Sequence, residues 1–177
     1  MSRAHTNRSC GTHERGTPVA ELKYSPAERA VLAVARAYFN SFACPATQGW
    51  IGGISEALHA FGEERGPEVA VAVLSVVQCM RRARSSVFRF NSPDCPRCAL
   101  FVTGHEQMLM AAARAAARGR LDAAGAHATL LCEGSDVRKF LKSLETLADK
   151  AFPPTDAKPD DRWTSSEFRS PAYKAGI

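Results

Sequence analysis

The run Asp94-Cys95-Pro96-Arg97-Cys98 carries the plainest chemical signal in the chain, two thiols separated by two residues. That spacing lets both sulfurs converge on one point, where they can chelate a soft metal ion or close a redox disulfide. The pair alone says little. Cys79 stands before it and Cys132 after it, each near the expected end of a helix, and four thiolates would complete one site. Cys79, Cys95, Cys98 and Cys132 are therefore the expected metal ligands. Four sulfurs suit a tetrahedral Zn2+ at Zn–S distances of about 2.3 Å, and they equally suit a four-cysteine iron–sulfur cluster; zinc is placed first. The spacing is not that of a zinc ribbon, because Cys79 and Cys132 are each single. His105, shortly after Cys98, is the replacement ligand should Cys79 lie out of reach.

Two other chemistries use the same stretch. Cys95 and Cys98 could act as a thiol oxidoreductase pair, with a depressed thiol pKa and His105 as proton carrier. Arg81, Arg82, Arg84, Arg89 and Arg97 surround Phe88 and Phe90, and arginine beside exposed aromatics can grip phosphate and stack on bases. The plainer reading of those arginines, and the preferred one, is that a helix C-terminus favours positive charge while the aromatics are buried. Combined, the signals describe a metal-gated regulator that binds nucleic acid or an acidic protein partner. The rival is a scaffold or interaction protein whose metal is purely structural or absent. Paired carboxylates, a phosphate-binding glycine loop and a Ser-His-Asp arrangement do not stand out, so hydrolase or kinase activity is not expected and an enzyme is not the favoured reading.

What must position these residues is a helical body. The chain has 177 residues, 45% of them hydrophobic, with a formal net charge of +5 and six cysteines, a size and apolar content that suit one domain. The charge favours acidic partners but is modest for a dedicated DNA-binding protein. No uninterrupted apolar run reaches the roughly 18 residues of a membrane span, and the first residues lack the apolar core of a secretory signal. A cytoplasmic protein is expected, in which cysteines are ligands, reactive groups or small core residues.

Residues 1–24 read as a disordered tail, in which His5, Cys10 and His13 are not expected to hold a metal. Ser25-Pro26-Ala27-Glu28 is a helix-opening capping box, and Val31, Val34, Ala35, Tyr38, Phe39 and Phe42 continue one apolar stripe to the break at Cys44-Pro45. Cys44 reads as a packed loop residue. A weaker, glycine-bearing second helix is expected over 47–61, closed by Gly62 to Gly66, and a valine-rich third helix opens at Pro67 and ends in Arg81, Arg82 and Arg84. A loop anchored by Phe88 and Phe90 leads to Cys95. Thr103-Gly104-His105-Glu106 caps a fourth helix ending near Gly119; a fifth runs to Cys132; a sixth, capped by Ser135 or Asp136, carries Phe140, Leu144, Leu147 and Ala151 at strict helical spacing. Residues 153–177 read as a flexible tail whose Trp163, Phe168 and Tyr173 could dock on the bundle or a partner.

The expected fold is thus an all-α, single-domain bundle of about five or six helices over residues 25–152. Short connections make consecutive helices antiparallel, which brings the cysteine-bearing ends to one pole. Cys79 sits about five residues before its helix end, roughly 7 Å inside the bundle at 1.5 Å per residue, so the loop carrying Cys95 and Cys98 must fold back to meet it.

Overall fold

Ser25 opens the first long helix as its chemistry dictates. In the computed structural model, which describes residues 16–152, the Ser25 hydroxyl accepts the Glu28 N–H at 3.1 Å and the Glu28 carboxylate accepts the Ser25 N–H at 2.7 Å. Two otherwise orphaned amides are satisfied, and α1 (Pro26–Ala43) follows. Its stripe of Val31, Val34, Ala35, Tyr38 and Phe39 is buried. A 3-10 turn over Pro45–Thr47 leads to α2 (Gly49–Ala83).

α2 differs from expectation in how it is broken. The sequence predicts two helices separated by a five-residue connection over Gly62 to Gly66; the structure makes the break at Gly62 alone, with φ 80° and ψ 172°. Only glycine takes that φ without steric cost. Helix resumes at once, and Pro67 lies inside the second limb rather than at its start. Gly66 then lets the limbs close on each other: a Cβ there would lie 2.7 Å from Leu58 Cα and 2.9 Å from the Ala57 carbonyl oxygen. The second limb buries Val69, Val73, Val76, Val77 and Met80, which suits its near-continuous apolar character.

The remaining elements are the one-turn helix α3 (Pro96–Ala99), α4 (Gly104–Ala117), α5 (Leu121–Leu131) and α6 (Arg138–Ala151). Gly119, at φ 67°, turns the chain after α4, and Gly134, at φ 78°, turns it after α5. The Asp136 carboxylate receives the Arg138 N–H at 3.0 Å. α2 packs against α1 and α6, while α4 packs against α5 and α6. Met80, Met110, Leu131, Phe140, Leu144 and Leu147 are the largest apolar side chains fully withdrawn from solvent, all within one core cluster. Over the described residues the architecture is an all-α bundle of six α-helices. No helix among the described residues is long and apolar enough to cross a membrane.

The ordered body also starts earlier than Ser25. β1 (Thr17–Pro18) pairs antiparallel with β2 (Phe101–Val102), Thr17 opposite Val102, and a 3-10 turn over Val19–Leu22 follows. The Val19 N–H donates to the Leu100 carbonyl at 2.9 Å, the Gln107 side-chain amide donates to the Thr17 hydroxyl at 3.0 Å, and Tyr24 is buried. Such a short strand has no periodicity to read, so its placement rests on a distant partner. His5, Cys10 and His13, like Trp163, Phe168 and Tyr173, lie outside the described residues.

The corner makes a pair of opposite glycine effects testable. Gly66→Ala should cost about 1–3 kcal/mol through forced separation of the limbs. Gly52→Ala, where an added methyl meets nothing within 4 Å, should stabilise by about 0.5–1 kcal/mol. Urea unfolding of the two variants checks both signs.

Candidate functional site

Cys95 and Cys98 lie on either side of one helical turn. Cys95 is the residue before α3, Cys98 is within it, and the two are joined as a disulfide with their Cα atoms 5.2 Å apart. The Cys98 N–H also points at Cys95 Sγ, 3.3 Å away. Cys95 is half-buried and Cys98 is buried. The turn before them is held by the Cys95 N–H to Ser92 carbonyl bond and by Asn40 of α1, whose side-chain amide donates to Asp94 Oδ2 at 2.8 Å.

The deeper anchor is an ion pair between α1 and α4. Arg36 Nε donates to Glu106 Oε1 at 2.7 Å and Nη2 donates to Oε2 at 3.1 Å, with the two side chains 6% and 0% exposed. The rest of the Arg36 fork grips the cysteine turn: Nη1 donates to the Ala99 carbonyl at 2.9 Å, and Nη2 to the Phe101 carbonyl at 2.5 Å. Glu106 in turn accepts the Asn91 N–H at 3.2 Å and the Thr103 N–H at 2.7 Å. The Asn91 side-chain amide completes the frame by donating to Phe101 O at 2.7 Å. Among the described residues, every buried side-chain nitrogen and oxygen has a partner, which is the condition under which a buried charge network is stable.

A second clasp holds the loop's beginning. Arg84, just past α2, donates to the Leu131 carbonyl at the end of α5, pairs with Glu133 at 3.2 Å, and places Nη2 3.2 Å from His105 Nε2. His105 Nδ1 accepts the Arg89 N–H at 2.9 Å. Glu133 Oε2 accepts the Ser85 hydroxyl and N–H and the Ser86 N–H, and its other oxygen accepts the Ser86 hydroxyl. These bonds, the serine hydroxyls first, pull the Glu133 carboxyl down to about 2 from the usual value near 4.5. Phe88 stacks on Phe39 at 4.3 Å and Phe90 lies 5.4 Å from the same ring, so both aromatics anchor the loop against the bundle.

The structure brings Cys95 to Cys98 and does not gather Cys79 or Cys132 into a ligand set with them. Among the described residues there is no group of three or more His, Cys, Asp or Glu side chains placed to hold a metal ion. The two clasps account for this. Arg36 and Asn40 draw the cysteine turn toward α1, whereas Cys132, fully buried at the end of α5, lies beneath the Arg84 clasp. Burial pushes the Cys132 thiol pKa up, which disfavours the free thiolate as a nucleophile at neutral pH. Cys79 packs half-buried against the core, and Cys44 is exposed. Both ring nitrogens of His105 face groups of the loop frame.

Of the five arginines, Arg84 is committed inside the fold, and Arg81, Arg82, Arg89 and Arg97 are exposed. Arg36, Asn91, Thr103 and Glu106 are the positioning residues that spacing did not reveal as a set. One signal was available: Arg36 occupies the apolar face of α1, four residues after Leu32 and three before Phe39, and a charge on a core face requires a buried partner.

Arg36→Met should destabilise the fold by about 3–5 kcal/mol by leaving the Glu106 charge buried without its cation, and amide hydrogen exchange at Asn91 and Thr103 should accelerate more than elsewhere. Glu133 has a depressed pKa, so its contribution is fully present above about 4.5 and is lost as the pH falls toward 2. The thermal midpoints of the wild-type and Glu133→Gln proteins should therefore differ at neutral pH and converge across that window. No protein-family model, curated protein or solved structure matches the chain, so the chemistry of the site rests on the geometry just described.

Proposed function

We propose that the chain is a thiol–disulfide exchange protein of the helical class, with Cys95 as the attacking thiol and Cys98 as the resolving one. The observation that carries this reading is the pairing of the two sulfurs within one rigidly framed turn, Cys95 the more accessible of the two. Exchange needs that asymmetry: an incoming disulfide must reach one sulfur, while the second must be close enough to displace it before the mixed disulfide escapes.

The reaction balances with a disulfide as co-reactant. The Cys95 thiolate attacks one sulfur of a partner disulfide, forming a mixed disulfide and releasing one partner thiolate, which takes up a proton. The Cys98 thiolate then attacks Cys95 Sγ, the mixed disulfide breaks, and the second partner thiol leaves. Two electrons pass to the partner, and the protons lost by the two cysteines end on its two thiols. Run backward, a partner dithiol is oxidised; the difference in reduction potential sets the direction.

The frame supports the reading in energetic terms. Asn40, Arg36 and Asn91 hold Asp94, Ala99 and Phe101, so the turn is held on both sides of the cysteines, and closing the disulfide orders little further chain. Cys44, Cys79 and Cys132 lie outside the pair and are not required.

Incubation of the reduced protein with oxidised glutathione, followed by thiol alkylation and mass spectrometry, should show Cys95 and Cys98 lost together as one two-electron couple. Cys98→Ser should accumulate glutathione on Cys95, and Cys95→Ser should accumulate far less on Cys98. Independent titration of the two thiols, or stoichiometric zinc retained on the reduced protein and blocking its oxidation, would overturn the assignment; the second outcome would return the pair to metal binding.

A further inference from the structure

A cleft unrelated to the cysteine turn lies where α1 meets the two limbs of α2. It has a volume of about 440 Å3 and is walled by Tyr38, Phe42, Trp50, Ile54, Val71 and Leu74. Trp50, Ile54 and Val71 are exposed, Val71 to 64%. A contiguous apolar surface of this kind is costly to leave in water and marks a place where an apolar group binds.

Just beyond one end of the cleft stands a cation, Arg81, which touches two of the cleft's wall residues, Gln78 and Phe42. Gln78 belongs to its wall, and its Oε1 accepts Arg81 Nη1 at 3.3 Å. The Arg81 guanidinium lies over the Phe42 ring, 4.0 Å from its centre. Phe42 is also shared with a second cavity of about 250 Å3, which Arg81, Met80, Phe88 and Phe90 help to line. Arg81 has no carboxylate partner among the described residues, in contrast to Arg36, Arg84 and Arg114, each of which pairs with a glutamate. The contact over Phe42 is a cation–π one that leaves N–H groups to receive an anion.

We propose that this cleft binds a monoanionic amphiphile, a medium-chain carboxylate, with its hydrocarbon chain along Trp50, Ile54, Val71 and Leu74 and its carboxylate on Arg81. The size and apolar walls suit the chain, and the arginine next to the Gln78 end suits a head that reaches past it, since guanidinium and carboxylate match in shape as well as charge. Ser41 and Gln78 supply the few additional polar groups that orient a ligand in an otherwise apolar site. The cleft shares no lining residue with the cysteine turn.

The chain has two tryptophans, so Trp163→Phe leaves Trp50 as the sole reporter. In that background, octanoate, decanoate and dodecanoate, each kept below its micelle threshold, should change Trp50 emission saturably. Affinity should rise about fourfold per added methylene until the cleft is filled. Dodecan-1-ol should bind more weakly than dodecanoate. Arg81→Gln should reduce dodecanoate to the alcohol's level without altering the alcohol, and Val71→Glu should weaken both; both side chains are exposed, and an unchanged circular dichroism melt confirms that each variant is folded. Equal affinity of acid and alcohol, indifference to Arg81→Gln, or no saturable response would overturn the proposal. So would a dimer in sedimentation that Val71→Glu dissociates and dodecanoate does not, which would make the cleft an interface between copies.

Discussion

The bidentate pair between Arg36 and Glu106 is the constraint from which the rest of the described structure follows. Placing a guanidinium and a carboxylate where neither meets water is unfavourable unless every donor and acceptor is matched. Here the matching recruits the backbone of the cysteine segment. Three of its carbonyl and amide groups, at Ala99, Phe101 and Asn91, are bonded to one or other member of the pair. The segment is therefore fixed not by its own secondary structure, which amounts to one helical turn and a two-residue strand, but by the need of two buried charges for partners. Glu106 carries a second duty, since the same carboxylate closes the capping box that starts α4. One residue thus couples the existence of a helix to the position of a loop.

α1 is the common support of the two candidate sites. Arg36 and Asn40, four residues apart, share a face and hold the cysteine turn, while Tyr38 and Phe42, also four apart, line the apolar cleft. At 100° per residue the two pairs point to nearly opposite sides of the helix. Phe39 lies between them and stacks with Phe88 of the loop. The helix is therefore a wall with different chemistry on each side: charge and hydrogen bonds toward the thiols, aromatic surface toward the cleft.

The helices were legible because capping and periodicity are local. Ser25 and Thr103 each announce a start, and Phe140, Leu144 and Leu147 each fall where a core-facing residue of α6 must. The corner in α2 was harder. Gly62 and Gly66 both look like breakers in sequence, yet one supplies a left-handed φ and the other supplies only the absence of a side chain between crossing limbs; spacing does not tell those uses apart. The cysteine pair was visible as a pair. Its setting was not, because Arg36 and Glu106 are 70 residues apart and β1 pairs with a strand on the far side of two long helices in the sequence. Antiparallel packing correctly directs helix ends toward shared poles, but where a loop lies over such a pole is decided by hydrogen bonds that no hydrophobic period encodes.

That separation has a temporal side. During synthesis at about 5–20 residues per second, Arg36 leaves the ribosome roughly 4–14 seconds before Glu106 does. Throughout that interval α1 and α2 can meet through their apolar faces, while the face of α1 that carries Arg36 and Asn40 still lacks the segment and the helix that cover it. The guanidinium thus stays hydrated until the chain has reached α4, and the cysteine segment, made just before Glu106, has a charged frame available only from that point on.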